Sequence, residues 1–453
     1  MKVQQQLTPL AAAIAIVATT ATRTLAFAPS RDSTRTSRSS SHLLHAATPP
    51  SPKTTQNPIT SPQADLTFTP PDPLNDFQIT DPLCAQAASK MKRVMVPVSP
   101  SVSSTGYVGI SYIHFAADEN AKKQAQSDGD ATLPLLLVHG FDSSALEFRR
   151  LGPQLSSRGI DVYCVDLLGW GYTQLDDVAS FSAQAKIEAL EGFWKTMGGY
   201  GEVVVGGASL GGAAVIEFAA KNLCRFSKEE GQLEGRDDEN KTREGCVRGT
   251  VLLDAQGFVD GIGPMSFLPS PLARLGIQVL KSEPLRESAN QMSYFDKEQF
   301  ATEDALKVGR MHCLRDGWEE GMLSFMQSGG FRPKEKVGLV DVPSLVIWGR
   351  DDGILEKEFA QKFVDTMPDA QLQWIERCGH VPHLEQPELT AKYIAEFLRS
   401  EKLRPLETTS ISNANYIMNN VMNGPWGAIG LGGVAVAAAT GAAAAGTLMG
   451  GGM

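Results

Sequence analysis

The sequence predicts an α/β fold, a mostly parallel twisted sheet with helices on both faces. From about residue 105 to residue 400, short apolar runs rich in β-branched residues alternate with amphipathic segments. This alternation is typical of strands joined by helices that cover both sides of a sheet. The apolar runs are also almost free of polar residues, as expected of strands buried on both faces, and each ends in glycine, serine or an acid. These runs are LPLLLVHG, DVYCVDLLGWG, GEVVVGGAS, GTVLLDAQG and VPSLVIWGRDD.

The first 47 residues are predicted to be a bipartite presequence. Lys2 precedes an apolar run from Leu10 to Ala18 and then small residues up to Phe27, which is the layout of a signal peptide. The stretch that follows is rich in Ser and Arg with a single acid, as in organelle transit peptides. The join LAFAP resembles the presequences of plastid proteins in algae with secondary plastids, which implies import into a plastid. Secretion is the alternative.

Two further segments are predicted to lie outside the core. Residues 48–100 are interpreted as a Pro-rich linker, because many prolines occur there with few large apolar residues. Residues 404–453 form a tail whose uncharged run 428–449 is long enough to span the hydrocarbon core of a bilayer. Ala and Gly contribute little to insertion, so membrane association through 428–449 and a flexible low-complexity tail are both open interpretations.

Charge and cysteine usage restrict the partners. The net charge is −10, although the presequence holds five basic residues and one acid. An acidic surface without a basic stripe argues against nucleic acid as a partner.

The six cysteines show no C-x-x-C pair and no zinc or disulfide spacing. Reduced thiols and no metal site are therefore expected, with a Cys224–Cys246 disulfide across the charged insertion 225–249 as the alternative.

The core is predicted in two parts, 101–258 and 341–403, separated by a helical cap at 259–340. The cap segment is far longer than the usual connection between successive strands, and it is rich in Pro, Met, Phe and Leu. Such an insertion indicates a lid that excludes water and shapes a pocket. Its apolar side chains suggest a hydrophobic substrate, although packing within the cap explains most of them equally well. They are Phe267, Leu268, Met322, Phe325 and Met326.

Residues 207–211, GASLG, fit the G-x-S-x-G pattern of a nucleophile elbow. The pattern lies between the valine-rich run 203–205 and the helix-forming run AAVIEFAA, which is the strand–turn–helix setting that an elbow requires. Small residues on both sides let the chain make a strained turn at the serine. Ser209 is therefore the predicted nucleophile.

A serine hydroxyl needs a base to take its proton. His380 follows the last strand-like run, AQLQWIE, and a loop at that place can reach toward the elbow, so His380 is the predicted base. His383 is the competing candidate, for which a structural or pocket-lining position is expected. His139 precedes a glycine in an earlier loop and is expected to pack under that loop.

The base needs a carboxylate that holds its tautomer and stabilises the imidazolium. Asp351 and Asp352 follow the strand VIWG and give the chain order Ser, Asp, His. Asp254, at the end of the preceding strand, is an alternative acid for which a structural role is expected.

The tetrahedral oxyanion requires two backbone donors. These are predicted to be the amides of Leu210, after the nucleophile, and Phe141, in the loop after LLLVHG.

With these residues placed, the sequence resembles the α/β-hydrolase superfamily over roughly residues 105–400. The resemblance implies a single domain with a cap between the sixth and seventh strands. The matching motifs occur in the expected order: HGFD at 139–142, VDLLGWG, GASLG, WGRDD and CGHVPHLEQP. In relatives with WGRDD the second aspartate is the triad acid, which implies Asp352. Haloalkane dehalogenases and epoxide hydrolases carry an aspartate at the elbow, and Ser209 departs from them.

Three longer stretches narrow the resemblance. HGFDSSALEFRRL, DLLGWGYTQ and GRMHCLRDGWEEGMLSFMQSGGF are similar to an uncharacterised group of plastid α/β-hydrolases of plants and algae, which implies a plastid location but no substrate. The expected function is that of a cofactor-free serine esterase, acting on an ester, thioester or related carbonyl of a hydrophobic small molecule through an acyl-enzyme. Carbon–carbon hydrolysis of a diketone-like substrate and a non-catalytic ligand-binding protein of the same fold are the alternatives.

Overall fold

A twisted sheet lies at the centre of the computed structural model, which describes residues 63–198, 201–223, 225–226, 233–234 and 246–404. Eight of its strands are numbered here in chain order. They are β1 (Met91–Pro97), β2 (Tyr107–Phe115), β3 (Leu135–Val138), β4 (Val162–Val165), β5 (Val203–Ala208), β6 (Val247–Leu253), β7 (Ser344–Gly349) and β8 (Ala370–Ile375). A two-residue edge strand, Gln63–Ala64, completes the sheet in the order edge strand, β1, β2, β4, β3, β5, β6, β7, β8.

The strands from β3 onward all run in the same direction. β3 pairs in parallel with β4 and β5, and β5 to β8 pair in parallel in sequence order. The pairs of β1 with the edge strand and of β2 with β1 and β4 are antiparallel. The predicted apolar runs form β3 to β7, and AQLQWIE forms β8. The predicted fold class is confirmed.

The helices cover both faces of this sheet and build the cap. They are α1 (Pro73–Phe77), α2 (Pro82–Ser89), α3 (Glu119–Ser127), α4 (Leu151–Ser156), α5 (Ala183–Gly198), α6 (Leu210–Lys221), α7 (Ser270–Lys281), α8 (Glu283–Ser293), α9 (Lys297–Phe300), α10 (Glu303–Met311), α11 (Trp318–Gln327), α12 (Glu358–Thr366), α13 (Pro382–Glu385) and α14 (Pro387–Leu398). Short 3-10 helices are Ala145–Phe148, Gly263–Phe267, His312–Leu314, Val337–Leu339 and Glu401–Leu403. Arg225–Phe226 and Leu233–Glu234 pair as a separate ribbon.

Two hydrophobic clusters lie on opposite faces of the sheet. Successive side chains of a strand point to opposite faces, and β5 shows this directly: Val203 and Val205 belong to one cluster and Val204 to the other. The first cluster contains side chains of α5, α6 and α12, and the second contains side chains of α2, α4 and α14. Because both faces are covered, every residue of β3, β5, β6 and β7 is buried.

The cap consists of α7 to α11, which lie between β6 and β7. Three of its helices, α7, α10 and α11, contain buried residues. In α7 the buried residues are Ala273, Gly276, Ile277 and Leu280, and α11 packs on α7. Amphipathic helices with one apolar face are stabilised by this packing rather than by intrinsic propensity.

The predicted linker 48–100 is wrong for residues 63–100, which are part of the fold. Strand β1 joins the sheet, and the Asp81 carboxylate forms a nearly buried ion pair with Arg149 at 2.9 Å. Thr80 donates from its amide and its hydroxyl to Asp304 of the cap, at 2.9 and 2.8 Å. The prolines misled the prediction because Pro73 and Pro82 begin helices. At that position proline is well accommodated.

The predicted thiols are found at four positions. Cys84, Cys164, Cys313 and Cys378 are free and buried. Cys246 is disulfide-bonded, which contradicts the thiol predicted there.

Some of the predictions fall outside the described residues. They concern Cys224, the presequence 1–47 and residues 405–453 of the tail, including the run 428–449. Among the helices of the described ranges, none combines the length and apolar character needed to cross a bilayer.

Candidate active site

Ser209 occupies the sharp turn between β5 and α6. Its backbone has φ 51° and ψ −120°, a conformation that costs free energy for any residue with a side chain and that clusters at functional sites. A Cβ atom at Gly207 would collide with the backbone of Gly211, and one at Gly211 would collide with the carbonyl of Val138. The Ser209 amide donates to the Leu253 carbonyl at 2.9 Å, which ties the turn to β6. The glycine spacing of the elbow is therefore a steric requirement.

His380 and Asp352 meet across two adjacent loops, after β8 and β7. His380 Nδ1 lies 2.9 Å from Asp352 Oδ2, and the histidine is only 5% exposed. The backbone amide of His380 donates to the Ser293 carbonyl of α8 at 2.8 Å, so the cap helps to place the imidazole. Asp352 Oδ1 accepts from the amides of Ile354 and Leu355 at 2.7 and 3.1 Å. Both carboxylate oxygens are thus held in one orientation.

The electrostatics favour a charged Asp352. Burial raises the pKa of this carboxyl, but the charge on His380 and the hydrogen bonds from His380 and two backbone amides outweigh it. The pKa of Asp352 therefore lies below its usual value. A carboxylate in this state stabilises an adjacent imidazolium.

The other two candidate acids are placed differently. Asp351 is exposed to solvent. Asp254 is fully buried at the end of β6, where its Oδ1 accepts from the Gly349 amide at 2.9 Å. Burial, together with the charge of Asp352, raises the pKa of Asp254 well above its usual value. The neutral form that this shift favours stabilises an imidazolium less than a carboxylate does, which is consistent with the structural role expected for Asp254.

Asp254, Asp352 and His380 bring three ligand atoms within 4.8 Å of one another, a spacing that metal ions use. In this cluster His380 Nδ1 and Asp352 Oδ2 are already hydrogen-bonded to each other. Burial raises the pKa of Asp254 well above its usual value, which favours its neutral form over the carboxylate that would bind a cation. The donor set therefore suits proton transfer better than cation binding.

His383 and His139 support the loop that follows β3. His383 Nε2 lies 2.8 Å from Glu147 Oε1, and Glu147 Oε2 accepts from the Gly140 amide at 3.0 Å. His139 Nε2 accepts from the Leu167 amide at 3.0 Å, which leaves the proton on Nδ1, 2.8 Å from the Gly140 carbonyl. Burial lowers the pKa of His139. Both histidines are fully buried and hold the loop, as expected for His139.

Glu147 was not singled out from the sequence. It lies far from His383 along the chain, in the 3-10 helix Ala145–Phe148. No periodic pattern connects two positions so widely separated, so no local signal was available. Its carboxylate is charged, because hydrogen bonding and charge from His383 outweigh burial and lower its pKa to about 2.

The two predicted oxyanion donors flank the elbow. Leu210 is the first residue of α6, and the first amides of a helix have no acceptor within it. On the other side, a Cβ atom placed at Gly140 would lie 3.4 Å from Ser209 Cβ. The loop that carries Phe141 therefore passes directly beside the elbow.

A cavity of about 320 Å³ lies between this site and the cap. Ser209 and His380 lie on its wall together with Phe141, Arg149 and Arg286. Half of the remaining lining residues are apolar, largely from α7, α8 and α10, and the other half are polar residues and glycines. These apolar residues are Leu280, Leu285, Ala289, Met292, Ala305, Leu306, Val308, Ile354, Val381 and Leu384.

The cap residues singled out from the sequence do not form this wall. Met322, Phe325 and Met326 are fully buried inside the cap and its contact with the core. Phe267 is 87% exposed, and Leu268 packs against the first hydrophobic cluster. The structure supports the packing interpretation for Met322, Phe325, Met326 and Leu268, whereas Phe267 neither packs in the cap nor lines the cavity.

A model of the alpha/beta hydrolase family matches residues 135–393, more than half of the chain. The chain belongs to this family. The resemblance drawn from the five motifs is thereby confirmed, and the protein is a hydrolase. The matched range includes the elbow, both aspartates of WGRDD and the final histidine loop.

Two relatives and one solved structure show how this hydrolase compares. It is 29% identical over 319 residues to the alpha/beta hydrolase domain-containing protein VTE7 of Arabidopsis thaliana, covering 70% of this chain and 87% of that protein. It is 26% identical over 302 residues to the 2-hydroxy-6-oxononadienedioate/2-hydroxy-6-oxononatrienedioate hydrolase of Burkholderia vietnamiensis, covering 64% and 95%. A thermophilic esterase from Thermogutta terrifontis superimposes with a TM-score of 0.50 at 22% identity, covering 69% and 99%. At 22% identity the likeness to the esterase concerns the fold alone. The similarity to the Arabidopsis thaliana protein agrees with the resemblance to plant and algal proteins expected from the sequence.

Proposed function

We propose that this hydrolase cleaves an ester, thioester or related carbonyl bond of a hydrophobic small molecule through an acyl-enzyme. Ser209 is the nucleophile, His380 the base and Asp352 the acid that orients it. The observation that carries the proposal is the hydrogen bond between His380 Nδ1 and Asp352 Oδ2, on the wall of the cavity that Ser209 also lines. That bond leaves His380 Nε2 as the nitrogen that takes a proton.

The steps follow from this arrangement. His380 Nε2 takes the proton of Ser209 as Oγ attacks the carbonyl carbon, and the Asp352 carboxylate stabilises the imidazolium. The amides of Phe141 and Leu210 donate to the oxyanion of the tetrahedral intermediate. When the intermediate collapses, the alcohol or thiol leaves with the proton from His380. Water, deprotonated by His380, then hydrolyses the acyl-enzyme and restores Ser209.

The cavity supports a hydrophobic substrate. Ten aliphatic side chains contribute to its wall, and both arginines that line it have acidic partners. Arg149 pairs with Asp81, and Arg286 pairs with Asp142. Because these charges are compensated, the cavity offers an apolar chain a large contact surface and no uncompensated charge from the two guanidinium groups.

Carbon–carbon hydrolysis is the second candidate, favoured by the similarity to the Burkholderia vietnamiensis hydrolase. By its name that relative acts on a dioate, a molecule with two carboxylates. A site for such a substrate needs cationic groups that are free to pair with it. In this chain Arg149 and Arg286 are already paired, and this supports an ester over a dioate.

We also propose a plastid location, which the presequence pattern and the similarity to a plant protein support. Membrane association through 428–449 is a separate proposal that rests on length and composition. Retention of the protein in the membrane fraction after a carbonate wash would support it. Release of the full-length protein into the wash would contradict it.

The test of the enzymatic proposal combines a probe with a substrate screen. Protein beginning at residue 48 is treated with a fluorophosphonate and assayed against acyl-chain esters, aryl esters and a vinylogous 1,5-diketone. Labelling at Ser209 with turnover of esters supports the proposal. Turnover of the diketone alone supports carbon–carbon hydrolysis. Folded protein that is neither labelled nor active contradicts both and favours a binding role.

A further inference from the structure

Asp142 carries a buried carboxylate on the loop after β3, next to Phe141. Three side chains of the cap converge on it. His312 Nε2 and Trp318 Nε1 lie 2.9 and 2.8 Å from Oδ1, and the Arg286 guanidinium contacts Oδ2. The exposed fractions are 4% for the Asp142 side chain, 14% for that of Arg286 and 1% for that of His312. The contact between cap and core is therefore polar at this point.

Arg286 extends the connection through the cap. Its Nε donates to the Leu280 carbonyl at 3.0 Å, and its Nη1 donates to the Gly309 carbonyl at 2.9 Å. These acceptors lie in α7 and α10, and Arg286 itself lies in α8. One guanidinium group thus joins three cap helices to a single carboxylate of the core. Burial raises the pKa of Asp142, but the charge of Arg286 and the bonds from His312 and Trp318 outweigh it, and the pKa lies well below its usual value.

The backbone of Asp142 is itself unusual. Its φ is 47°, in the left-handed region that residues with a side chain rarely adopt. Such a conformation persists where surrounding contacts impose it. Two residues earlier, the Gly140 amide is held by Glu147. Phe141 therefore lies between a residue anchored to the core and a residue anchored to the cap.

We propose that Asp142 is a positioning residue through which the closed cap holds the Phe141 amide in place for the oxyanion. This inference rests on the proposed function, since it takes that amide as an oxyanion donor. Donors aimed in advance at the developing charge stabilise the transition state more than the bound substrate. Loss of the Asp142 contacts should accordingly affect kcat far more than KM.

The experiment separates this role from simple cap stabilisation. Asp142→Asn is compared with wild type for kcat and KM on a soluble ester. It is also compared for binding of a trifluoromethyl ketone, which adds to Ser209 and forms an oxyanion, and of the matching methyl ketone, which does not. We expect kcat to fall about tenfold to a hundredfold, with a parallel loss of trifluoromethyl ketone affinity. KM and methyl ketone affinity should change much less than kcat in Asp142→Asn, and by less than about threefold in Trp318→Phe, which retains the Asp142–Arg286 ion pair.

Two further variants complete the design. Trp318→Phe removes one donor to Asp142 with little change in volume and should show the same selective loss on a smaller scale. Arg274→Ala breaks exposed ion pairs with Glu319 and Glu320 inside the cap and should leave all four quantities unchanged. If Asp142→Asn does not fold, the effect of Trp318→Phe on kcat and on trifluoromethyl ketone affinity decides whether Asp142 has the positioning role.

An unchanged kcat, or an equal loss of affinity for both ketones, would overturn the positioning role and leave Asp142 as a structural residue. In that case wild-type labelling at Ser209 and ester turnover still stand, and the proposed function is unaffected. A wild-type protein that neither labels nor turns over esters contradicts the proposed function and the positioning role together.

Discussion

The imidazole of His380 is hydrogen-bonded to Asp352 at 2.9 Å, whereas the neighbouring Asp351 is exposed to solvent. Two adjacent aspartates of one motif therefore have different environments. The carboxylate that meets the imidazole is also held by two backbone amides. Substituting Asp351 and Asp352 separately therefore tests the proposed mechanism.

Asp352→Asn is expected to lower kcat about a thousandfold or more, because the amide no longer stabilises the imidazolium or selects its tautomer. Asp351→Asn, which changes the adjacent exposed side chain, should leave ester turnover within about twofold of wild type. Steady-state kinetics on one ester measure both. Equal effects of the two substitutions would argue against Asp352 as the triad acid.

Ser209→Ala should lower turnover on the order of a thousandfold or more and abolish fluorophosphonate labelling. Ser127, an exposed serine of α3 that bonds the Gln124 carbonyl, provides the matched control, and Ser127→Ala should be labelled like wild type. Mass spectrometry of the labelled peptide identifies the site. Wild-type rates in Ser209→Ala would mean that another residue is the nucleophile.

Glu147 predicts a specific pH dependence of stability. Its pKa is lowered from an ordinary 4.5 to about 2, because hydrogen bonding and charge from His383 outweigh burial. Between these values the unfolded state binds a proton that the folded state does not, so stability rises with pH. The contribution is fully present above about pH 4.5 and is lost as the pH falls toward 2.

Glu147→Gln should remove this part of the acid dependence and lower the free energy of unfolding at neutral pH by at most about 3 kcal/mol. Urea denaturation at pH 7 and pH 3.5 measures the difference. The difference in free energy of unfolding between wild type and variant should be smaller at pH 3.5 than at pH 7. If this difference is the same at both pH values, the charge of Glu147 does not contribute to the stability of the fold.

Asp81→Asn tests whether residues 63–100 belong to the folded domain. Removing one partner of the nearly buried Asp81–Arg149 pair leaves an uncompensated charge, and we expect a loss of about 2–4 kcal/mol in the free energy of unfolding. The exposed pair of Lys307 and Glu303 on α10 provides the control, and Glu303→Gln should change stability by about 0.5 kcal/mol or less. Similar small effects of both would mean that the segment contributes little to stability.

Met292→Trp should shift the substrate range toward smaller molecules. Met292 lines the cavity, and a larger side chain there takes up part of its 320 Å³. We expect kcat/KM for long acyl chains to fall about tenfold while short-chain esters are retained. Leu275→Trp, on an exposed position of α7, should have no such effect. A uniform loss across chain lengths would place the acyl chain elsewhere.

The local patterns of the sequence were sufficient for strands β3 to β8, the cap and the elbow. Apolar runs specify buried strands because both faces of the sheet are covered, and the elbow needs glycine at 207 and 211 for steric reasons that hold wherever the turn occurs. The position of His380 followed from its place after the last strand. Composition misled the prediction for residues 63–100, because a proline at a helix start and a proline in a linker look the same in a count.

Contacts between distant parts of the chain could be assigned only in three dimensions. Asp352 differs from Asp351 and Asp254 in its burial and its hydrogen bonds. A sequence motif does not contain this information. The Glu147–His383 bond and the convergence of the cap on Asp142 join residues that are far apart in the chain. A buried charge is stable only where its partners meet it, and the tertiary structure alone determines where they meet.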